Sequence, residues 1–363
     1  MIRRLGNCDR YLPYLFFALI SFWCHATEIP PRKTYKFLCQ DIIINNQVIE
    51  EHNHRDCKTR YTLLEHILGK YKRPFTMLEL GAKQGYFSLR AASTYPQSTF
   101  VMIEDNSLAK YFPSSDLLEI CKRNTCLHNI VLFNREIVAD ELERLSECEH
   151  FDLVIAFNLF SSCKNNCLEL IEPLLKLGDN ILLEVPNWHN ELNEYLSANN
   201  IELLCTFEHS KIWLREGHKN ILLRRHWLRP LSSTLTIKST YEEKKLIKNY
   251  DKLTITDWIP GINLITFKMY SGIYPTFDTV RNEILKLKDV AHTDWLAHNM
   301  IVQGDTITMI DCNDPRHENE NIVATQIFDE KRERILSKIL EWIKINNPKE
   351  VASFYIRKHM ENW

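Results

Sequence analysis

The stretch TMLELGAKQGYFSL, from Thr76 to Leu89, decides the fold that we predict for this chain. It begins as an apolar run that suits a buried strand, and it continues through Gly81 and Gly85 into a helical pattern. A strand, a glycine-bearing turn and a helix in this order place the positive end of a helix dipole at the carboxyl edge of a sheet. The stretch therefore predicts a ligand site at that edge.

The residue between the two glycines indicates which ligand the turn can hold. A dinucleotide-binding turn needs a glycine two residues after the first, so that a pyrophosphate can reach the helix N-terminus. Lys83 occupies that position here, and its side chain disfavours the close approach of a pyrophosphate. The turn better suits a ligand without phosphates, such as S-adenosylmethionine (SAM).

Outside this stretch, short apolar runs alternate with helical patterns from Tyr61 onward, which is typical of a parallel sheet covered by helices. The predicted strands are Phe75–Leu80, Thr99–Glu104, Ile130–Asn134, Asp152–Ala156 and Asn180–Glu184. The predicted helices between them are Gly85–Thr94, Ser115–Asn124, Asp140–Glu147 and Asn166–Leu175. The sheet is expected to end in an antiparallel hairpin that pairs Lys211–Arg215 with Asn220–Trp227.

The run from Leu78 to Ser88 resembles motif I of the class I, Rossmann-like, SAM-dependent methyltransferases, and the resemblance covers about residues 60–228. In that family an acid before the loop, here Glu79, can face the amino group of the ligand's methionine. The next strand ends in an acid that hydrogen-bonds both ribose hydroxyls, and Glu104 stands at the spacing of a βαβ unit. The residues that the resemblance implies for cofactor binding are Glu79, Gly81, Ala82, Gly85, Glu104, Asp105 and Phe157.

The acceptor side of the site is less defined. The run from Phe151 to Asn158 resembles the family's fourth strand, whose end lies beside the transferred methyl, so Asn158 is a candidate catalytic residue. Glu184 follows the fifth strand and is a candidate base, with Trp188 as a stacking surface, although a plain strand end and turn is an equal alternative. An N-P-P-Y tetrad and the middle glycine of the loop are absent, so the acceptor is unidentified.

A second pattern lies in AHTDWLAHNMIVQGDTITMIDCND, from Ala291 to Asp314. Its H-x-D-x-x-x-x-N spacing, which begins at His292, and its later I-D pair resemble the catalytic loop of aminoglycoside-phosphotransferase and RIO-type kinase-like lobes. The resemblance implies that Asp294 orients or deprotonates an acceptor hydroxyl, while Asn299 and Asp311 hold the Mg²⁺ of Mg-ATP. A glycine-rich loop is missing, so an active kinase, a degenerate lobe and a local look-alike all stay open.

Composition excludes some partners. The 363 residues carry a net charge of −2, which argues against a global attraction to nucleic acid or anionic membranes, and no clear nucleic-acid surface is evident. The 11 cysteines lack the paired spacing of a structural zinc site, and we expect no metal there.

The N-terminus, MIRRLGNCDR followed by YLPYLFFALISFWCHA, is typical of a secretory signal, and residues 11–24 also suggest membrane association. SAM is a cytosolic cofactor, so the localisation stays uncertain. Four segments are predicted: a signal-like segment at 1–26, an N-terminal extension at 27–59, a methyltransferase domain at 60–228, and a C-terminal kinase-like or accessory domain at 229–363.

The predicted fold class is therefore α/β, a Rossmann-like methyltransferase sheet with a terminal antiparallel hairpin, plus a smaller α+β C-terminal domain. The leading functional hypothesis is a SAM-dependent methyltransferase with an unidentified acceptor. The alternatives are a kinase-like phosphotransferase and a non-catalytic secreted binding protein.

Overall fold

The computed structural model describes residues 40–51, 56–104, 114–162, 167–199, 201–216, 235–237, 253–255, 259–270, 272–287, 297–309, 334, 336–341 and 344. All of them belong to one unit, Phe37–Trp363. The predicted signal-like segment at 1–26 and the predicted domain boundary near residue 229 lie outside these ranges. None of the helices described is long and apolar enough to cross a membrane.

The secondary structure confirms the predicted alternation of strands and helices. The strands are β1 Ile42–Ile44, β2 Gln47–Glu50, β3 Thr76–Leu80, β4 Thr99–Glu104, β5 Ile130–Asn134, β6 Phe151–Ala156, β7 Gly178–Pro186, β8 Glu202–Thr206, β9 Ser210–Arg215, β10 Leu235–Ile237, β11 Leu253–Ile255, β12 Ile262–Asn263, β13 Gly272–Tyr274, β14 Met300–Val302 and β15 Ile307–Met309. The helices are α1 Cys57–Leu68, α2 Tyr86–Thr94, α3 Ser114–Arg123, α4 Ala139–Cys148, α5 Leu159–Ser162, α6 Cys167–Lys176, α7 Asn190–Ala198, α8 Leu264–Met269 and α9 Phe277–Lys286.

One sheet of eight strands organises the molecule, in the order β13-β5-β4-β3-β6-β7-β9-β8. The five neighbouring strands β5, β4, β3, β6 and β7 run parallel. Strands β3, β4 and β6 are buried along their whole length, which explains why their sequences read as continuous apolar runs. The predicted α/β class with a terminal antiparallel strand pair is confirmed.

The pairing predicted for that terminal pair is wrong. Strand β9 lies between β7 and β8 and is antiparallel to both, so its two edges are occupied. The predicted partner, Asn220–Trp227, lies outside the described residues. The hairpin turn is instead at residues 207–209, where Phe207 N donates to Ser210 O at 2.7 Å.

One face of the sheet forms the main core. Leu78, Val101 and Phe133 lie in the same hydrophobic cluster as the inward side chains of α4 and α6. That cluster also includes C-terminal residues, among them Leu264 of α8 and Met300 of β14. The strands and the described C-terminal elements therefore share a core.

The C-terminal elements fasten to the amino edge of the parallel strands. Strand β13 is antiparallel to β5 and extends the sheet sideways, beyond its β5 edge. Gly261 N donates to Oγ1 of Thr76, the first residue of β3, at 2.9 Å. Asp305 N donates to His128 O at 2.8 Å, two residues before β5 begins. The contacts of Gly261 and Asp305 lie at the edge opposite the glycine turn.

Candidate functional site

The strand order creates a crevice beside β3. The chain passes from β3 to β4 and β5 on one side, and then crosses to β6 and β7 on the other side. The connections that leave β3 and β6 at their carboxyl ends therefore diverge over opposite halves of the sheet. Open α/β sheets bind ligands at such a switch point, which here lies between the glycine turn and the end of β6.

The glycine turn has the backbone conformation that its sequence predicts. Gly81 and Gly85 have φ angles of +70° and +73°, in the left-handed region where glycine carries no steric penalty. A Cβ at Gly85 would stand 2.9 Å from Leu117 Cδ1, so this position also lacks room for a side chain. Lys83 adopts a φ of +52° without being glycine. The turn is therefore tight and closely packed.

Four N–H groups of the turn are already used within the protein, those of Gly81, Ala82, Lys83 and Gly85. Gly81 N and Ala82 N donate to Ile103 O at 3.0 and 3.3 Å, and Gly85 N donates to Ala82 O at 2.7 Å. Lys83 N donates to Glu104 Oε2 at 2.7 Å. A phosphate-binding turn instead aims its N–H groups at the ligand. This arrangement disfavours a phosphate at the turn, in agreement with the interpretation of Lys83.

Glu104 ends β4 beside the turn, as predicted, and it forms an ion pair there. Lys83 Nζ donates to Glu104 Oε1 at 3.0 Å, and both side chains are buried. The residue that departs from the glycine pattern thus neutralises the acid predicted to bind the ribose. Each carboxylate oxygen has two lone pairs, so both can still accept a second hydrogen bond.

Glu79 is fully buried on β3 and is partly satisfied. Its Oε2 accepts from Ser88 N at 3.1 Å and from Ser88 Oγ at 2.5 Å. Within the described part of the chain its Oε1 makes no hydrogen bond of ordinary length, although the Gln40 amide, itself without another partner there, interacts with this carboxylate. Desolvation raises the pKa of Glu79 to about 7, against the lowering effect of Ser88 and the Gln40 amide, and Glu104 raises it further. A ligand ammonium nearby would favour the ionised form.

The end of β6 meets the glycine turn. Asn158 Nδ2 donates to Gly81 O at 3.3 Å, which joins the ends of β3 and β6 across the switch point. Phe157 is buried with its ring edge-on to Phe87 of α2, at 4.6 Å between centroids. Five of the seven residues predicted to bind the cofactor thus surround one turn: Glu79, Gly81, Ala82, Gly85 and Glu104.

Glu184 of β7 is held in a buried network. Arg60 Nη2 donates to Glu184 Oε1 at 2.6 Å, and Arg60 Nε lies 3.0 and 3.1 Å from the two carboxylate oxygens. Ser210 Oγ also donates to Oε1, at 2.6 Å. These bonds fix α1 against β7 and β9. Sequence reasoning missed Arg60, because the two partners are 124 residues apart and share no local pattern. The role of Glu184 as a base stays a prediction.

The kinase-like pattern is only partly placed. Asp294, Asp311 and also Asp105 lie outside the described residues. Asn299 is buried at the end of a 3₁₀ turn, Ala297–Asn299, and the antiparallel pair of β14 and β15 follows it. The assignment of Mg-ATP stays a prediction.

No protein-family model matches the chain, and no curated protein matches its sequence. Among solved structures, it is similar to precorrin-6y C5,15-methyltransferase from Geobacter metallireducens GS-15, at 16% identity and a TM-score of 0.32, over 42% of this chain and 86% of that one. Human methyltransferase-like protein 13 in complex with SAH gives 13% identity and a TM-score of 0.32, over 41% and 74%. WbdD, in a co-crystal with the kinase inhibitor LY294002, gives 16% and 0.36, over 84% and 89%. Similarities at this level assign no function, so the functional argument rests on the site itself.

Proposed function

We propose that the chain is a SAM-dependent methyltransferase that binds SAM at the carboxyl edge of β3, β4 and β6. One observation carries the proposal: two buried carboxylates, Glu79 and Glu104, flank a glycine turn in which the N–H groups of both glycines, Ala82 and Lys83 are already hydrogen-bonded. Carboxylates suit a ligand that presents hydroxyl and ammonium donors, and the occupied N–H groups disfavour a phosphate. SAM offers a ribose, an ammonium and a sulfonium.

The residues of the turn fit that ligand in three ways. Glu104 would accept from the ribose hydroxyls with the lone pairs that Lys83 leaves. Glu79, whose Oε1 makes no hydrogen bond of ordinary length within the described residues, would face the methionine ammonium. Gly81 lies directly against the residues that follow β6, because a Cβ there would be 3.5 Å from Leu159 N, so a side chain longer than a methyl group would occupy the gap between the two strand ends. When bound, SAM supplies an activated methyl group, so the protein contributes chiefly alignment of the acceptor.

The acceptor is not identified by this arrangement. Asn158 is the candidate residue at the methyl, since it lies against Gly81 at the end of β6. Asp105 and Phe157 stay proposed cofactor contacts. A kinase-like phosphotransferase and a secreted binding protein remain the alternatives, and the placed part of the kinase-like pattern, Asn299, favours neither of them over the methyltransferase.

Calorimetric titration of the full chain with SAM and with SAH tests the proposal. We expect binding of both, a complete loss in Gly81→Arg, whose side chain would fill the space before β6, and weaker binding in Glu104→Ala. Glu172→Ala is the matched control, because that glutamate is exposed on α6 far along the chain from the turn. Absence of SAM and SAH binding to the wild-type chain would refute the proposal. So would binding by both Gly81→Arg and Glu104→Ala with the affinity of the wild type. Mg-ATP binding that disappears in Asp311→Ala, without any SAM affinity, would favour the phosphotransferase.

A further inference from the structure

His189 lies just beyond the end of β7 in an environment that fixes its tautomer. Its Nε2 is 2.9 Å from Phe160 O and 3.7 Å from Cys167 Sγ. A carbonyl oxygen can only accept a hydrogen bond, so Nε2 of the neutral ring must carry the proton. Nδ1 then keeps its lone pair, which is the arrangement that a histidine needs to accept a proton at Nδ1.

This histidine is connected to the proposed SAM site by a short series of contacts. Phe160 belongs to α5, two residues after Asn158, and Asn158 Nδ2 donates to Gly81 O at 3.3 Å. Since β7 is the parallel neighbour of β6, the residues that follow both strands lie at the same edge of the sheet. His189 therefore stands on the β7 side of the switch point, across β6 from the glycine turn.

Trp188 adds a flat apolar surface beside the histidine. Its side chain is 60% exposed, and its ring lies 3.6 Å from the His189 ring between centroids, at an interplanar angle of 34°. An exposed indole offers a face on which a planar ring can stack. The indole therefore presents an exposed aromatic face at this edge of the sheet, beside a half-buried histidine.

The charges around this pair disfavour an anionic ligand. The segment from Asn187 to Asn199 contains Glu191 and Glu194 but no lysine or arginine. Lys211 of β9, which pairs with Val185 of β7, contributes one positive charge to the same end of the sheet and is outnumbered by carboxylates. Asn187 Nδ2 also donates to the backbone oxygen of Glu208, at 2.8 Å, which brings a further acidic residue to the same end of the sheet. Repulsion by these carboxylates favours an uncharged ligand over a phosphorylated or carboxylated one.

We propose that Trp188 and His189 form the acceptor site of the methyl transfer, for an uncharged aromatic ring that bears a hydroxyl group. This inference rests on the proposed methyltransferase function. The ring stacks on Trp188, and its hydroxyl oxygen forms a bond to the methyl carbon while the S–C bond of SAM breaks and its electron pair stays on sulfur. The hydroxyl proton passes to His189 Nδ1, and the imidazolium later releases it to water. The products are the aryl methyl ether and SAH.

The tautomer can be tested without any ligand. Two-bond ¹H–¹⁵N correlation spectra of the full chain distinguish the two neutral forms of each histidine, and comparison with His189→Gln identifies the signal of His189. We expect the Nε2–H form. A signal for the Nδ1–H form would overturn the proposal, because Nδ1 would then have no lone pair to accept the proton.

Binding of 4-methylphenol to the SAH-loaded full chain tests the ring site. Calorimetry is expected to show binding that is at least tenfold weaker in Trp188→Leu. Tyr195→Leu is the matched control, an exposed aromatic on α7 whose removal leaves binding unchanged. No binding of 4-methylphenol, or equal binding by wild type and Trp188→Leu, would contradict the inference.

Turnover separates the failure of this inference from the failure of the proposed function. With SAM and 4-methylphenol, we expect His189→Gln to form SAH about 100-fold more slowly than wild type, in the range of a lost general base. Its affinity for SAM should not change, because glutamine can still donate to Phe160 O. His209→Gln, at an exposed turn histidine, should leave the rate unchanged. Undiminished turnover in His189→Gln, or no turnover by a wild type that binds SAM, would overturn only the acceptor-site inference. Failure of the wild type to bind SAM would overturn this inference and the proposed methyltransferase function together.

Discussion

At the scale of single residues, the most informative contact is the one between Lys83 and Glu104. A lysine in a left-handed conformation is strained, and a buried carboxylate needs a partner. The ion pair of 3.0 Å gives the Glu104 carboxylate its partner, while the Lys83 backbone stays strained. The same geometry makes Lys83 a competitor for the carboxylate that we propose for the ribose.

Replacement of Lys83 by glycine tests that competition. Glycine removes about 1 kcal/mol of backbone strain, but breaking a buried pair costs about 3–5 kcal/mol, so we expect the unliganded chain to lose about 2–4 kcal/mol of stability. SAM should then raise the unfolding temperature more in Lys83→Gly than in wild type, because the ribose hydroxyls replace the lost donors. Lys83→Met keeps the strained backbone and should be the less stable of the two. Wild-type stability in Lys83→Gly would show that the pair contributes no more than the roughly 1 kcal/mol of strain that glycine relieves.

Glu79 makes the stability of the fold depend on pH. Unfolded, its carboxyl has the ordinary pKa of 4.5, whereas burial raises the pKa of the folded state to about 7. Between these values the folded chain binds more protons than the unfolded chain, so this group lowers stability as pH rises from about 4.5 to about 7, and no further above that. The difference corresponds to about 3 kcal/mol, at 1.36 kcal/mol for each unit of pKa.

The variant Glu79→Gln should remove that dependence. Urea unfolding at pH 5 and pH 8 would measure it, with the wild type losing up to about 3 kcal/mol more than the variant between the two values. Glu172→Gln, at an exposed glutamate, should keep the wild-type difference. The assignment fails if Glu79→Gln and wild type lose the same stability over this range.

At the scale of elements, one side chain closes the connection between α2 and β4. Asn129, just before β5, has its Nδ2 within 3.2 Å of Ala92 O, 3.1 Å of Tyr95 O and 2.9 Å of Ser98 O. These oxygens lie at the end of α2 and in the turn that follows, where helix carbonyls lack partners within the helix. The position of α2, and with it the glycine turn at its other end, depends on this amide.

We expect Asn129→Ala to destabilise the chain by about 2 kcal/mol, because buried carbonyl groups would be left without a donor. Asn199→Ala is the matched control: its amide donates to Tyr195 O at the exposed end of α7, and its loss should cost less than about 1 kcal/mol. Chemical unfolding of both variants measures the difference. Equal losses would show that Asn129 has no special role.

At the scale of the whole molecule, the described C-terminal elements are part of the sheet and the core. Strand β13 covers the edge of β5, and Gly304 lies against the loop that precedes β5. A Cβ at Gly304 would stand 2.2 Å from His128 O, and the residue has a φ of +85°. A side chain there would therefore push the C-terminal elements away from the amino edge.

Gly304→Ala should thus destabilise the whole described fold, by more than the roughly 1 kcal/mol that a strained glycine position alone costs. Gly69→Ala is the control, because Gly69 has right-handed backbone angles and ordinary contacts. Unfolding followed by near-ultraviolet circular dichroism and by SAM binding should give one shared transition in Gly304→Ala. If SAM binding persists under conditions where the dichroism signal is already lost, the parallel sheet and the C-terminal elements unfold independently.

The sequence determined the parallel strands, the helices between them and the glycine turn, because apolar runs, capping patterns and glycine spacing are local and survive in any fold that buries them. It also placed Glu79 and Glu104 at adjacent strand ends, since the length of a βαβ unit fixes that spacing. Only the tertiary structure decided which donors those acids and Glu184 meet. Lys83 could have faced solvent, Arg60 is 124 residues from Glu184, and the tautomer of His189 depends on the carbonyl of Phe160. Such pairings follow from packing between distant segments, and no local pattern encodes them.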